Sequence, residues 1–416
     1  MNITLPPLKI VRDGLRLTTE TLARELARPG STTPDWSDVE WQLAAAAAAA
    51  HGVAPLLSRH LPWQQPVWRE FVRSQGEHVE LRHRRIAKLL AGIDVAARIA
   101  GIAIVPLKGS ALHGIGLYAP GERPMADIDL LVREEDAEKA GVLLCELGYV
   151  QSFTHWKHRV FKPAAGASFT GLGEHRDTPI NIELHTRIQE RLPITAVDIT
   201  SQVYPTAPAP GLNAYPSYGA LMAHLLLHAA GNICGRSLRL VHVNDISLLA
   251  TRMTPRDWEV LWEAQTGESP WWALPPLSMV SRYYAHAAPR SVLARLQRGC
   301  PFLLRTLSRH RTLSHVSCSA LWLNALPGIE WSRSLGEAAR CVLRRFRPTA
   351  ELAKERADMV RTQLWLQGES WVSMSHGRRI LMRLLRPVPR MDTLYVVRAA
   401  LEYFGNRLPA RGVSPD

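Results

Sequence analysis

Apolar positions along the chain follow a helical period, give way to a strand period near residue 102, and return to a helical period near residue 218. In the first hundred residues a proline-rich stretch ends near Pro34, where Asp35 or Ser37 is placed to cap a helix through Ala44–Ala50. Gln75–Ala100 then carries Val79, Leu81, Ile86, Leu89, Leu90 and Ile93 at helical spacing. Ile102–Leu107 (IAIVPL) is a short β-rich run ending in Lys108-Gly109-Ser110, with a short helix to Ile115. A loop with Gly116, Pro120, Gly121 and Pro124 leads to Asp127–Val132 (DIDLLV), which reads as a buried strand. Glu134–Leu147 is an amphipathic helix with acids in its first turn and Gly148 as its stop. Tyr149–Phe153, His158–Lys162 and Pro179–His185 read as further strands, the last after a glycine-rich turn at Gly166–Gly173. Leu221–Ala230, Leu238–Leu249 and a segment opened by Thr254-Pro255 are helical, with Trp258, Trp262, Trp271 and Trp272 as packing surfaces. The expectation is an α+β protein: a small mixed-sheet core at 101–200, a helical region at 1–100, and a helical region with a basic tail at 201–416.

Composition sharpens this only in places. With 46% apolar and 21% charged residues among 416, wholesale disorder is excluded. The net charge of +13 sits at one end: from Arg282 onward there are 23 Lys/Arg against 9 Asp/Glu, so the first two thirds are close to neutral. Five scattered cysteines show neither a disulfide framework nor zinc spacing. Met1–Val11 lacks the apolar core of a signal peptide, and the charge-free Ile199–Gly235 is broken by prolines, Gly211 and two histidines. A cytoplasmic protein without stable membrane insertion is expected. Only 7 of the 50 basic residues are lysines, so Lys108 at a strand end stands out.

The chemistry concentrates in the strand region. Residues i and i+2 of a strand share a face, so Asp127 and Asp129 project together while Ile128 and Leu130 enter the core. Paired carboxylates repel unless a cation lies between them, and hard oxygen ligands suit Mg²⁺ or Mn²⁺. Glu183 is a lone acid between Ile182 and Leu184, with Asn181 and His185 on its polar face. Gly109-Ser110 at a strand-to-helix corner lets backbone N–H groups approach a phosphate. These are the parts of metal-assisted nucleotidyl transfer.

The stretch VPLKGSALHGIGLYAPGERPMADIDLLVREEDAEKAGVLLCELGY resembles the signature of the uncharacterised nucleotidyltransferase-like family in the DNA polymerase beta-type superfamily. The superfamily pattern of a Gly-Ser corner, Asp-x-Asp and a third acid is met by Gly109-Ser110, Asp127-Ile-Asp129 and Glu183. The family's Lys-Gly and Arg-Pro-Met-x-Asp elements match Lys108-Gly109 and Arg123–Asp127. Sixteen residues separate Ser110 from Asp127, longer than usual, and the extra length is the Gly116–Gly121 loop. The resemblance implies an NTP substrate, ATP by default, and two Mg²⁺ (or Mn²⁺) on Asp127, Asp129 and Glu183, the catalytic acids. It also implies nucleotide contacts from Lys108, Gly109, Ser110, Arg123 and His185. The acceptor is a hydroxyl of a small molecule, a peptide or protein, or an RNA end, and the residues select none of these or an oligomeric state.

Plainer readings stand beside these. Arg123 is equally a loop salt bridge to Glu122 or Asp127, and His185 a satisfied strand histidine. His155 with His158 reads as a surface strand, and His224 with His228 as core packing rather than a zinc pair. The rival function is a catalytically silent module whose arginine-rich tail engages RNA or an acidic partner, with Trp365, Trp371, Tyr395 and Tyr403 as stacking groups. Against it, these aromatics are core and the arginines a solvated face. Membrane-surface association through Arg378–Arg386 is a third, weaker reading.

Overall fold

The computed structural model describes residues 5–405 apart from 31, 61, 166–170, 264–268, 349, 351–373 and 375. Trp365 and Trp371 lie outside the described residues. The N-terminal region forms α1 (Leu8–Ala27), α2 (Asp38–Ala50), α3 (Ala54–His60) and the long α4 (Pro66–Ala100). Ser37 caps α2 through a capping box: Glu40 N–H donates to its hydroxyl at 3.4 Å, and Ser37 N–H donates to the Glu40 carboxylate at 2.8 Å. The alanine run is buried, so small side chains let neighbouring helices approach α2 closely. Gly101, at φ +69°, ends α4 and turns the chain into the sheet.

The sheet carries β1 (Ala103–Pro106), β2 (Asp127–Leu131), β3 (Tyr149–Thr154), β4 (His158–Pro163), β5 (Asn181–His185) and, at one edge, β8 (Gly211–Leu212), in the order β3-β4-β5-β2-β1-β8. Two pairings are parallel, β2 with β5 and β1 with β8, and the rest antiparallel, so the sheet is mixed as expected. Between β1 and β2 lies α5 (Lys108–Gly114), and between β2 and β3 lies α6 (Ala137–Glu146). The β6 (Gln189–Arg191) and β7 (Ala196–Asp198) hairpin and β8 were not foreseen, because two or three residues show no alternation to read.

Ile86 and Ile93 of α4 and Leu143 and Leu144 of α6 pack with Ile128, Leu130, Ile182 and Leu184, which builds the core on one face of the sheet. A second, larger core joins α1 and α2 to the short α7 (Thr200–Val203), α8 (Tyr218–Gly235), α9 (Leu240–Ala250) and the last helix, Met391–Gly405. That last helix buries Leu394, Val397 and Phe404, and Tyr403 meets Phe71 edge-on at 5.6 Å. This part of the basic C-terminal region is therefore integral to the core. Among the described residues no helix is long and apolar enough to cross a membrane.

One buried cation sets the register beneath the acids. Arg82 of α4 donates to the carbonyls of Met125 (2.9 Å) and Ala126 (2.7 Å), just before β2, and to those of Thr178 (2.5 Å) and Pro179 (3.2 Å), just before β5. Four carbonyls are satisfied by one guanidinium, which ties the two parallel strands together at their starts.

Candidate active site

The β2–β5 register places Asp127 beside Asn181, Asp129 beside Glu183, and Leu131 beside His185. Partners in register share a face, so Asp127, Asp129, Glu183 and His185 stand on one side, with Ile128, Ile182 and Leu184 in the core on the other. A slip of one residue would send Glu183 into that core. On the other side of β5, β4 sets His158 opposite His185.

Lys108 reaches over from the start of α5. Its φ of +47° is unusual for a residue with a Cβ, and such a conformation costs about 1–3 kcal/mol. The turn places its Nζ 2.7 Å from Asp129 Oδ1. The same oxygen lies 3.0 Å from His185 Nε2, which is also 3.7 Å from Glu183 Oε2. Asp129 thus holds both the lysine and the imidazole, and the same imidazole approaches Glu183. Burial opposes ionisation of Asp129, but Lys108 and the His185 hydrogen bond outweigh it and hold the acid well below its ordinary range. Asp127 has no such partner: burial, then Asp129 and Glu183, push its pKa up to about 7. Burial also opposes charge on His185, yet its bonds to Asp129 and Glu183 raise its pKa.

Lys108, Asp127, Asp129 and Glu183 line a cavity of about 390 Å³ with Gly109, Ser110, Asn232, Arg239 and Arg390, a volume suited to a small organic ligand. Arg390 is engaged: its guanidinium holds Asp392 (2.5 Å) and the Arg236 carbonyl (2.6 Å). Arg239, at the N-terminal boundary of α9, is exposed, and its ion pairs are none among the described residues.

Arg123 corrects an expectation. Its partner is neither Glu122, which takes Arg59 at 2.7 Å, nor Asp127. Its Nε and Nη2 donate to the two oxygens of buried Asp245, each at 2.8 Å, and Nη1 donates to the Pro124 carbonyl at 3.2 Å. Tyr118 adds its hydroxyl to Asp245 at 2.8 Å. The guanidinium runs against Gly109, where a Cβ would fall 2.4 Å from Nη1. Arg123 is therefore a brace under the corner, with no free fork for phosphate. At the corner itself, Ser110 N–H donates to the Leu107 carbonyl (3.1 Å) and Lys108 N–H to the Tyr215 hydroxyl (3.4 Å).

His224 is buried and bonded to the Tyr215 hydroxyl at 2.7 Å, and His228 sits beside Asn232 at 3.1 Å. His224 is a packing histidine, whereas His228 is partly buried and lines the cavity. His158, read as part of a surface strand, instead faces the site, its Nδ1 3.3 Å from Glu183 Oε2. Sequence reading missed Arg239, Asp245 and Arg82 as well. His158 had a usable signal, since it opens the strand that pairs with the Glu183 strand, whereas Arg239 and Asp245 come from helices far along the chain.

No curated protein and no solved structure matches the chain. A family model described as "Uncharacterised nucleotidyltransferase" matches residues 37–269, which span Arg82, β1 to β8, Arg239 and Asp245. That match covers more than half of the 416 residues, and the chain belongs to this nucleotidyltransferase family.

Proposed function

We propose that the protein is a metal-dependent enzyme that moves a nucleoside monophosphate from an NTP, ATP by default, to a hydroxyl acceptor. The observation that carries the reading is the shared face of Asp127, Asp129 and Glu183 in one cavity with Gly109 and Ser110. The residues fit divalent ions. Their donors are hard carboxylate oxygens, and the raised pKa of Asp127 marks negative charge that Lys108 and His185 leave uncompensated. Asp127, Asp129 and Glu183 would hold Mg²⁺ or Mn²⁺, which supplies neutralising charge at the reacting phosphate.

Gly109 lets the triphosphate close on the corner, the Ser110 hydroxyl meets a phosphate oxygen, and Arg239 offers a further cation to the same cavity. The acceptor oxygen attacks the α-phosphorus in line, and the bond to the β-phosphate oxygen breaks. Pyrophosphate leaves, and the acceptor proton passes to Glu183 where that acid acts as base. Lys108 keeps Asp129 ionised throughout. The acceptor remains a hydroxyl of a small molecule, a peptide or protein, or an RNA end.

The test is label transfer from α-³²P NTPs onto candidate acceptors with Mg²⁺, read beside pyrophosphate release. Stoichiometric appearance of both is expected. Pyrophosphate without labelled acceptor, or no Mg²⁺–NTP binding by calorimetry, would overturn the reading.

A further inference from the structure

Of the imidazoles beside Glu183, that of His158 is used by nothing above and that of His185 only as a partner of the acids. His158 Nδ1 lies 3.3 Å and His185 Nε2 3.7 Å from Glu183 Oε2, and the three ligand atoms are within 4.8 Å of one another. Bonds of about 2.0–2.1 Å from a tetrahedral ion place its ligands roughly 3.3–3.4 Å apart, so these contacts are close to edges of a zinc-type tetrahedron. Two nitrogens and one oxygen are also the wrong donors for a dedicated Mg²⁺ cage and the right ones for Zn²⁺ and its neighbours.

We propose that His158, Glu183 and His185 form a second cation site, selective for a borderline divalent ion of the Zn²⁺ or Co²⁺ class. It is distinct from the hard-ion site on Asp127 and Asp129 and shares only Glu183 with it. Three features support it. His158 Nδ1 is buried and makes no hydrogen bond, although it points at a carboxylate; a buried polar atom left this way calls for a partner. Adjacent strands set the ligands, since β4 and β5 place His158 opposite His185 and β5 carries Glu183 two residues earlier. Finally, the site opens on a cavity of about 110 Å³ that adjoins the larger one at Lys108, Glu183 and His228 and is also lined by Lys157, Arg187 and Glu190, which leaves room for water in a fourth position.

Binding asks little rearrangement. His185 Nε2 exchanges its contact with Asp129 for the ion, and Asp129 keeps Lys108 at 2.7 Å. The ion's charge then meets carboxylates that one lysine does not balance. Because Glu183 is shared, occupancy of this site withdraws it from the aspartate pair.

The probe is Co²⁺ alone, titrated into the metal-free full chain and followed by its visible d–d absorption. One equivalent is expected to give the intense band of four-coordinate Co²⁺, without the near-ultraviolet band a thiolate would add, and Zn²⁺ is expected to erase it. His158→Ala should weaken Co²⁺ binding at least about a hundredfold, since even loss of an outer-shell partner costs 10–100-fold. If that variant does not fold by circular dichroism, His158→Asn carries the same test. Absence of the band at one equivalent in the wild type would overturn the proposal, as would Co²⁺ affinity unchanged in the folded His158 variant. Asp127→Asn keeps the band while losing Mg²⁺–NTP binding, so failure of this site and failure of the nucleotidyl-transfer reading are told apart.

Discussion

Two buried charge clusters meet at the Lys108-Gly109-Ser110 corner, and they are built differently. In the first, Arg123 and Asp245 form a two-pronged pair, and Tyr118, Asn244 and Tyr284 continue the hydrogen bonds outward. One cation meets one anion and the donors are spent. In the second, Asp127, Asp129 and Glu183 face Lys108 and His185, and Asp127 is left so poorly compensated that its pKa climbs to about 7. A closed cluster spends its charge on shape. An open one keeps charge in hand for a ligand, at a cost to the fold that a purely structural site has no reason to carry.

Neutralising one acid in each cluster breaks the comparison most sharply. Asp245→Asn strands buried Arg123 and should cost about 3–5 kcal/mol of stability, as removal of one partner from a buried pair does. Asp127→Asn should leave the thermal midpoint unchanged or raise it, because it removes a half-buried charge without a partner, yet Mg²⁺–NTP binding should vanish from calorimetry. Asp127 is a cleaner target than Asp129, whose loss would orphan Lys108. Equal destabilisation by both variants would mean that the acid cluster is structural.

Glu183→Gln is the next largest effect. It keeps the size and register of β5 and removes one acid of the open cluster. Transfer should fall by about a hundredfold or more, the usual contribution of a general base, with nucleotide affinity retained. Activity within threefold of wild type would remove Glu183 from the chemistry. The Arg123–Asp245 pair should remain intact, so the melting curve should not move downward.

Much of this was legible in the sequence, and the reasons are local. Alternation in DIDLLV and PINIELH, with glycine punctuation, located β2 and β5 and assigned Asp127, Asp129 and Glu183 to polar faces. Asp35 or Ser37 was the cap expected for α2, and Ser37 takes that place, while Gly148, at φ +87°, marks the end of the helical segment before β3. What stayed hidden is long-range. Arg82, 45 residues before Asp127, looks like one more arginine on a polar helix face, yet it fixes the register of both acid strands. Asp245 lies 122 positions from Arg123 inside an apolar helix, so a partner for that arginine was sought among its loop neighbours. Periodicity reports which face a residue occupies and is silent on which distant element packs there.

Gly109→Ala joins the two clusters and should have an intermediate effect. The added methyl would meet Arg123 Nη1 at 2.4 Å and Met125 Cγ at 2.9 Å. A free arginine tip would move aside, but Asp245 and Pro124 hold this one. Overpacking of this kind costs about 1–3 kcal/mol, and the corner should tilt away from the acids, weakening NTP binding. In an Asp245→Ala background the arginine is released, so the extra cost of the methyl should shrink. Additive losses in that double-mutant cycle would show that the clusters do not touch energetically.

The smallest effect expected is on pH dependence, and its sign follows from the raised pKa of Asp127. Between about pH 4 and pH 7 the folded chain holds a proton on this carboxyl that the unfolded chain has released. The native state binds more protons there, so this group's contribution to stability falls as pH rises through that window and levels off above it. The buried histidines run the other way: burial lowers His51 to about 3 and His113 to about 4, so their contribution is lost as pH falls below the ordinary histidine range. Raw melting curves mix the two, and only the difference between wild type and Asp127→Asn isolates the carboxyl. Cation binding offers a cleaner reading, since a divalent ion takes the ionised form and must displace the proton below pH 7. Mn²⁺ without nucleotide brings no titrating phosphate, a His158→Asn background removes one of the two neighbouring imidazoles, and the same titration with Asp127→Asn added gives the part that His185 contributes. The Mn²⁺ affinity should fall by about tenfold from pH 8 to pH 6, the most that one proton near pH 7 allows over that span, with up to one proton released per ion bound at pH 6. An affinity flat across that range would mean that Asp127 is already ionised in the folded protein, and the cluster would then be as closed as the Arg123–Asp245 pair.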